Sequence, residues 1–120
     1  VKQHPNAKSY TSLGQLRYFS TINQVNAVVG NSSSGLYEVP SFKKPTVNIG
    51  DRQKGRLSAA SIINCKSEVK AIEQAMLQAF EMDCSTVSNP YGEGNVSSKI
   101  IHHLKQIQDP QQLIVKHFYS

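Results

Sequence analysis

The sequence predicts an α/β fold in which helices flank a parallel β-sheet. Short apolar runs of β type alternate along the chain with helical patterns, and this alternation is typical of parallel strands joined by helices. Residues 27–56 are the clearest case: an apolar run, a small polar loop, a helix-like segment and a second β-like run follow one another as in a βαβ unit. Since only a few strands are predicted, the sheet is expected to be part of a Rossmann-like domain rather than a complete one.

The composition fits one small domain with a basic surface. The chain has 120 residues, 38% of them hydrophobic, and a formal net charge of +5. Positive charge suits an anionic partner, but the sequence lacks the basic run interleaved with aromatic residues that is typical of single-strand nucleic-acid binders. No apolar stretch is long enough to cross a membrane, and the first residues lack a signal-peptide pattern. A cytoplasmic protein with no nucleic-acid or membrane partner is expected, with Cys65 and Cys84 as reduced thiols.

The first predicted elements are a short strand at residues 7–10 and a helix that begins at Ser12. Ser12 and Gln15 have the spacing of a capping box, in which each side chain accepts a hydrogen bond from a free backbone amide. Four apolar side chains then recur at helical spacing and are expected to form the buried face. They are Leu13, Leu16, Phe19 and Ile22.

The central elements are a strand at residues 26–29, a polar loop at 31–34, a short helix at 35–42 and a strand at 45–49. The helix is predicted despite Pro40, and Pro45 stands at the edge of its strand, where proline is tolerated. A loop rich in charge follows at residues 50–57.

The rest of the chain is predicted to add a strand at residues 61–64 and helices at 67–82 and 96–107, with a Pro- and Gly-containing loop between the helices. The first helix carries an apolar stripe of Val69, Ile72, Met76, Ala79 and Phe80. The second helix is expected to face the core with four apolar side chains: Ile100, Ile101, Leu104 and Ile107. Because Asp109-Pro110 breaks this helix, residues 1–108 are assigned to the sheet domain and residues 109–120 to a tail.

The polar loop is the first candidate site. It precedes a helix, so its backbone amides and the hydroxyls of Ser32 and Ser33 have the chemistry that holds a phosphate. Glu38 has Gly35 three positions before it, so no capping box occupies its carboxylate. It lies roughly 8 Å further along a helix, which fits the separation of a diphosphate from a ribose diol. The alternatives are an ordinary serine cap and a solvated glutamate.

The charged loop is the second candidate site. Arg52, Lys54 and Arg56 alternate, so in an extended loop they share a face that suits phosphate or carboxylate. A solvated basic loop is the alternative. No His and Cys residues have metal-ligand spacing, so the sequence predicts no metal and no cofactor, and no Ser-His-Asp set can be defended.

The motifs of these two loops resemble those of the hydrolysing UDP-N-acetylglucosamine 2-epimerases, the branch of the sialic-acid and legionaminic-acid pathways. The matching residues are GNSSSG at 30–35, Glu38, Pro40, PTVNIG at 45–50 and DRQKGR at 51–56, with HPN at 4–6, LGQ at 13–15 and NPYG at 89–92 as further landmarks. Non-hydrolysing relatives have a Ser-Gly-Gly loop and two successive acidic residues. The sequence Tyr37-Glu38 and the three serines therefore favour the hydrolysing branch. The exact sugar stays open, since epimerases of bacillosamine-type UDP sugars share the pattern.

The resemblance implies two Rossmann-like domains of the glycosyltransferase-B type, with this chain as the carboxyl-terminal part of the second. It also implies roles for individual residues. Ser32 and Ser33 would bind the diphosphate, Glu38 the ribose, and Arg52 the substrate. The segment near the uracil would be Tyr10, Thr11, Ser12 and Leu13.

The family reaction eliminates UDP to give a 2-acetamidoglucal and then adds water to give N-acetylmannosamine. Its acids and bases belong to the amino-terminal domain, so the resemblance implies an enzyme as parent protein and an inactive fragment. Two other functions stay open: a nucleotide-sugar glycosyltransferase of the same architecture, and a non-catalytic nucleotide-binding or assembly module. A homo-oligomer is expected, because truncation leaves sheet edges and apolar helix faces uncovered.

Overall fold

The structure is a computed structural model that describes residues 3–92 and 94–114. Its helices are α1 (Gly14–Gln24), α2 (Ser34–Tyr37), α3 (Val69–Glu81) and α4 (Val96–Lys105), with 3-10 turns at Val39–Phe42 and Pro110–Leu113. Its strands are β1 (Val28–Gly30), β2 (Thr46–Ile49) and β3 (Ile62–Cys65). Residues 115–120 of the predicted tail lie outside the described part. The strand predicted at residues 7–10 is not formed.

The strands form one parallel sheet in the order β1-β2-β3. Gly30 at the end of β1 pairs with Asn48, and Asn48 pairs in turn with Asn64. The three carboxyl ends therefore lie at one edge, and the loops that follow them project from the same side. This arrangement of a parallel sheet with flanking helices confirms the predicted α/β fold class.

One face of the sheet is covered by α3. Val47 is fully buried and lies with Ile63 against Ala75 and Ala79, whose small side chains let the helix approach the strands closely. The ends of the predicted stripe are not covered, since Val69 is 83% exposed and Phe80 is 56% exposed. The sequence prediction is therefore right for the centre of α3 and wrong for its two ends.

The opposite face of β2 packs against α2. Thr46 Oγ1 donates a hydrogen bond to the Gly35 carbonyl at 3.1 Å. A methyl group on Gly35 would stand only 2.7 Å from Thr46 Cγ2, so glycine is the residue that lets α2 lie this close to the strand. The predicted helix at 35–42 divides into α2 and a 3-10 turn that has Pro40 in its first turn, because proline has no amide proton with which to continue an α-helix.

Helix α1 begins two residues later than predicted, and the capping box is not formed. Gly14 has a φ of +68°, and this left-handed residue turns the chain two positions after Ser12. The Ser12 hydroxyl accepts instead from the Gly14 amide at 3.3 Å. Of the predicted apolar face, Ile22 is buried whereas Leu16 is 81% exposed.

Helix α4 departs most from the prediction. Ile100, Ile101 and Leu104 are 52%, 51% and 60% exposed, so the prediction that they face inward is wrong. The chain reaches α4 through Gly92 and Gly94, both at left-handed φ values, and no residue of the helix is buried. The radius of gyration is 18.9 Å, against about 14 Å for a compact chain of this length. Within the described residues, no helix combines the length and apolar character needed to cross a bilayer.

Candidate functional site

The two loops singled out in the sequence lie side by side at the carboxyl edge of the sheet. Residues 31–33 follow β1, and residues 50–58 follow β2. Gln53 joins them, because its Nε2 donates to the Asn31 carbonyl at 2.8 Å and its side chain is 5% exposed. The sequence suggested ligand chemistry for each loop but not this buried amide between them.

Ser32 and Ser33 form the turn into α2. The amide of Gly35 donates to the Ser32 carbonyl at 3.1 Å, and the amides of Leu36 and Tyr37 both donate to the Ser33 carbonyl at 3.0 Å. Ser32 Oγ accepts from the Ser34 amide at 3.3 Å. Within the described part of the chain, the amides of Ser32 and Ser33 themselves have no partner, so the turn offers two backbone donors.

Glu38 lies at the end of α2, and its carboxylate has a hydrogen-bond partner within the protein. Its carboxylate accepts a hydrogen bond from the hydroxyl of Ser34, which is four residues earlier. The Ser34 hydroxyl also bonds the Tyr18 hydroxyl of α1 at 2.7 Å. No capping box holds Glu38, as the spacing predicts, but the sequence analysis did not anticipate the bond from Ser34, which stands four positions before it.

A hollow beside α1 brings Glu38 together with a distant part of the sequence. This feature, the α1 hollow, has a volume of about 460 Å³. Its lining comprises residues 10–15 of the segment that leads into α1, Tyr18 and Phe19 of the helix, and Glu38. The four residues assigned by resemblance to the uracil side (Tyr10, Thr11, Ser12 and Leu13) and the residue assigned to the ribose thus border one cavity.

Arg52 and the two serines lie outside the lining of the α1 hollow. Arg52 is exposed at the surface of the loop after β2, and it forms no hydrogen bond with the described remainder of the chain. A second hollow of about 290 Å³ lies beneath this loop and is lined by Gln53 and Lys54 but not by Arg52. The structure therefore places Arg52 on the loop beside the serine turn without joining it to Ser32, Ser33 or Glu38.

Arg56 has a different environment from Arg52. Its Nη1 donates to the Tyr37 hydroxyl at 2.6 Å, and its guanidinium lies 5.5 Å from the centre of the Tyr37 ring. Tyr91 packs edge-on against the same ring at 4.4 Å, and Asn89 Nδ2 donates to the Tyr37 carbonyl at 2.8 Å. Burial raises the pKa of the Tyr91 hydroxyl, and the charge of Tyr37 adds to that rise. Arg56 thus joins the loop after β2 to Tyr37 at the end of α2, a contact that the alternating basic pattern did not reveal.

Comparison with known proteins identifies the family. The family model of UDP-N-acetylglucosamine 2-epimerase matches residues 1–105. This chain belongs to that family. The predicted resemblance is thereby confirmed at the level of the family.

Individual relatives agree with this assignment. The chain is 47% identical over 74 residues to a GDP/UDP-N,N'-diacetylbacillosamine 2-epimerase (hydrolyzing) of Campylobacter jejuni, covering 62% of this chain and 19% of the relative. It is 38% identical over 107 residues to polysialic acid biosynthesis protein P7 of Escherichia coli, covering 86% and 27%. It is 29% identical over 113 residues to a UDP-N,N'-diacetylbacillosamine 2-epimerase (hydrolyzing) of Legionella pneumophila, covering 94% and 30%. The chain spans less than a third of the length of these relatives.

Proposed function

We propose that this chain is the UDP-binding part of a hydrolysing UDP-N-acetylglucosamine 2-epimerase, the complete protein of which releases UDP and N-acetylmannosamine. The observation that carries the proposal is the α1 hollow. Residues 10–13 and Glu38 are separated in sequence, yet they line one cavity of about 460 Å³. Apolar and aromatic walls with a few polar groups that fix orientation are typical of small-ligand sites.

The nucleoside would occupy the α1 hollow. Leu13, Phe19 and the ring of Tyr10 supply apolar surface for the planar uracil, and Glu38 supplies a carboxylate for the hydroxyls of the ribose. A carboxylate only accepts hydrogen bonds, so it can bond the two hydroxyls of a diol, whereas its negative charge repels a phosphate. This chemistry orients the nucleotide with its sugar toward Glu38.

The diphosphate would lie on the serine turn. The unpartnered amides of Ser32 and Ser33 and their hydroxyls are donors, and exposed Arg52 on the neighbouring loop adds a full positive charge. Helix α2 has four residues, so its dipole is small, and these local donors carry the binding. Gln53 supports this arrangement by joining the two loops through the Asn31 carbonyl.

The chemical step belongs to the complete protein. General acid and base groups must lie within hydrogen-bond reach of the sugar, and the resemblance assigns them to the amino-terminal domain. The chain by itself is therefore proposed to bind UDP-sugar without turning it over. We assign residues 1–108 to the nucleotide-binding domain and residues 109–120 to a tail, and we place the protein in the cytoplasm as a homo-oligomer.

The experiment is a calorimetric titration of the chain with UDP, with Glu38→Ala as the variant. A hydrogen bond to a charged group contributes about 1.5–3 kcal/mol, so the dissociation constant for UDP should rise about 10- to 150-fold. Glu81→Ala is the matched control, because Glu81 is an exposed carboxylate at the end of α3, remote from the hollow in sequence and fold. An unchanged affinity in Glu38→Ala would show that the ribose assignment is wrong.

A further inference from the structure

Three side chains from two helices form a hydrogen-bonded chain at one end of the α1 hollow. Tyr18 belongs to α1, whereas Ser34 and Glu38 belong to α2 and its end. The Tyr18 and Ser34 hydroxyls are 2.7 Å apart, and Ser34 donates to the carboxylate of Glu38. Tyr18 and Glu38 both line the hollow, so the chain of bonds ends at the cavity on both sides.

The number of protons on these three side chains determines which group donates in each hydrogen bond. A serine hydroxyl has one proton, and Ser34 donates it to the carboxylate of Glu38. The Tyr18 proton must therefore be donated to Ser34. Lone pairs of the Tyr18 oxygen and the free oxygen of Glu38 remain, and both are acceptors. This corner of the hollow therefore favours a ligand that donates hydrogen bonds.

We infer that Tyr18 is a specificity-determining residue of the α1 hollow, acting with Glu38 to select a ligand that carries two adjacent hydroxyl groups. The inference rests on the proposed function, which places a ribose beside Glu38, and it adds a second acceptor and a selection rule. Tyr18 Oη and Glu38 Oε2 both bond the same Ser34 oxygen, so these two oxygens lie at most about 5 Å apart, and the free Glu38 oxygen belongs to the same carboxylate. Neighbouring hydroxyls of one furanose ring can reach both.

The selection rule distinguishes a ribonucleotide from its 2′-deoxy analogue. With the 3′-hydroxyl on Glu38 and the 2′-hydroxyl on Tyr18, UDP presents a donor to each acceptor, whereas 2′-deoxy-UDP leaves Tyr18 without a partner. Sites built to hydrogen-bond a ligand hydroxyl discriminate strongly against the analogue that lacks it. Because this corner is half-buried rather than fully enclosed, we expect a preference of about tenfold for UDP.

The test is a calorimetric titration of the chain with UDP and with 2′-deoxy-UDP, carried out on the wild type, Tyr18→Phe and Ser34→Ala. In Tyr18→Phe the preference should fall to about threefold or less, because the affinity for UDP drops and that for 2′-deoxy-UDP changes little. Ser34→Ala should lower the preference in the same direction, because it removes the bridge that orients both acceptors. Ser20→Ala is the matched control: the Ser20 hydroxyl donates to the Leu16 carbonyl within α1 at 2.8 Å.

The outcomes separate this inference from the proposed function. A role of Tyr18 in folding alone would weaken both nucleotides equally and leave their ratio unchanged, and that result overturns the inference while UDP binding stands. Failure of the wild-type chain to bind UDP overturns the proposed function and this inference with it. Tyr18→Phe retains the ring that packs against Phe19 at 6.0 Å, and Ser34→Ala supplies a second measurement of the ratio if one variant folds poorly.

Discussion

The segment from β1 to β2 and helix α4 both carry apolar side chains at regular spacing, but these side chains are buried in the first region and exposed in the second. In the first region Leu36, Val39 and Val47 are at most 2% exposed. In α4 the apolar residues Ile100, Ile101 and Leu104 are each more than half exposed. The difference shows that a periodic apolar pattern predicts a face, whereas burial depends on whether another element of the same chain covers that face.

Polar side chains strengthen this contrast. Asn48 Nδ2 donates to Asn64 Oδ1 at 2.8 Å, and Gln53 Nε2 donates to the Asn31 carbonyl at the same distance. These bonds connect segments that are well separated in sequence. The side-chain hydrogen bond described at the end of α4 joins His102 to Gln106, the residue that follows the helix, and the two are local neighbours. The first region is therefore stabilised by long-range contacts and the second by its own helical turns.

The largest expected difference between the two regions is in stability. Val47→Ala should lower the free energy of unfolding by about 2–4 kcal/mol, because it opens a cavity where the side chain is fully buried between β2 and α3. Ile101→Ala on α4 is the matched truncation and should change it by less than about 0.5 kcal/mol. Urea denaturation followed by circular dichroism measures both. Equal losses in the two variants would contradict the contrast.

A smaller effect is expected at the contact of α2 with β2. Gly35→Ala places a methyl group 2.7 Å from Thr46 Cγ2, and such overpacking should lower stability by about 1–3 kcal/mol. Thr46→Ser removes that methyl group while its hydroxyl can still donate to the Gly35 carbonyl. The double variant should therefore recover part of the loss in the same urea experiment. If Thr46→Ser gives no recovery, the clash is not the cause of the loss.

The smallest effect on stability, and a distinct effect on assembly, is expected from Leu104→Glu. Leu104 is 60% exposed, so the free energy of unfolding of the folded chain should change by less than about 0.5 kcal/mol. If the exposed face of α4 contributes to the proposed homo-oligomer, sedimentation velocity should show a shift toward monomer. Lys105→Gln is the control, because it changes the net charge beside that face by the same single unit. A wild-type chain that sediments as a monomer at high concentration would contradict the oligomer proposal.

Much of the fold could be predicted from the sequence because its signals are local. The runs that became β1, β2 and β3 are short, apolar and bounded by loop residues, and their alternation with helical patterns predicted a parallel sheet. The exposure of the apolar face of α4 was not predictable, because the spacing of Ile100, Ile101 and Leu104 carries no information about whether another element covers them. Pro40 indicated that the helix predicted at 35–42 would be interrupted, but the prediction placed one continuous helix there.

The candidate site was predictable only in part. The serine turn and Glu38 were found through local chemistry, and residues 10–13 entered through resemblance rather than pattern. Tyr18 was missed because it lies 16 positions from its Ser34 partner, and Arg56 because it lies 19 positions from Tyr37. No local rule connects residues at such separations. Only the packing of α1 and of the loop after β2 against α2 brings them together.

The buried amide of Gln53 has a consequence for how a ligand would be received. By bonding the Asn31 carbonyl, it couples the loop that carries Arg52 to the turn that carries Ser32. This bond limits the movement of one loop relative to the other, although the Arg52 side chain itself stays exposed. If the proposed diphosphate binds here, less entropy is lost on binding, because the two loops are already joined in the free protein.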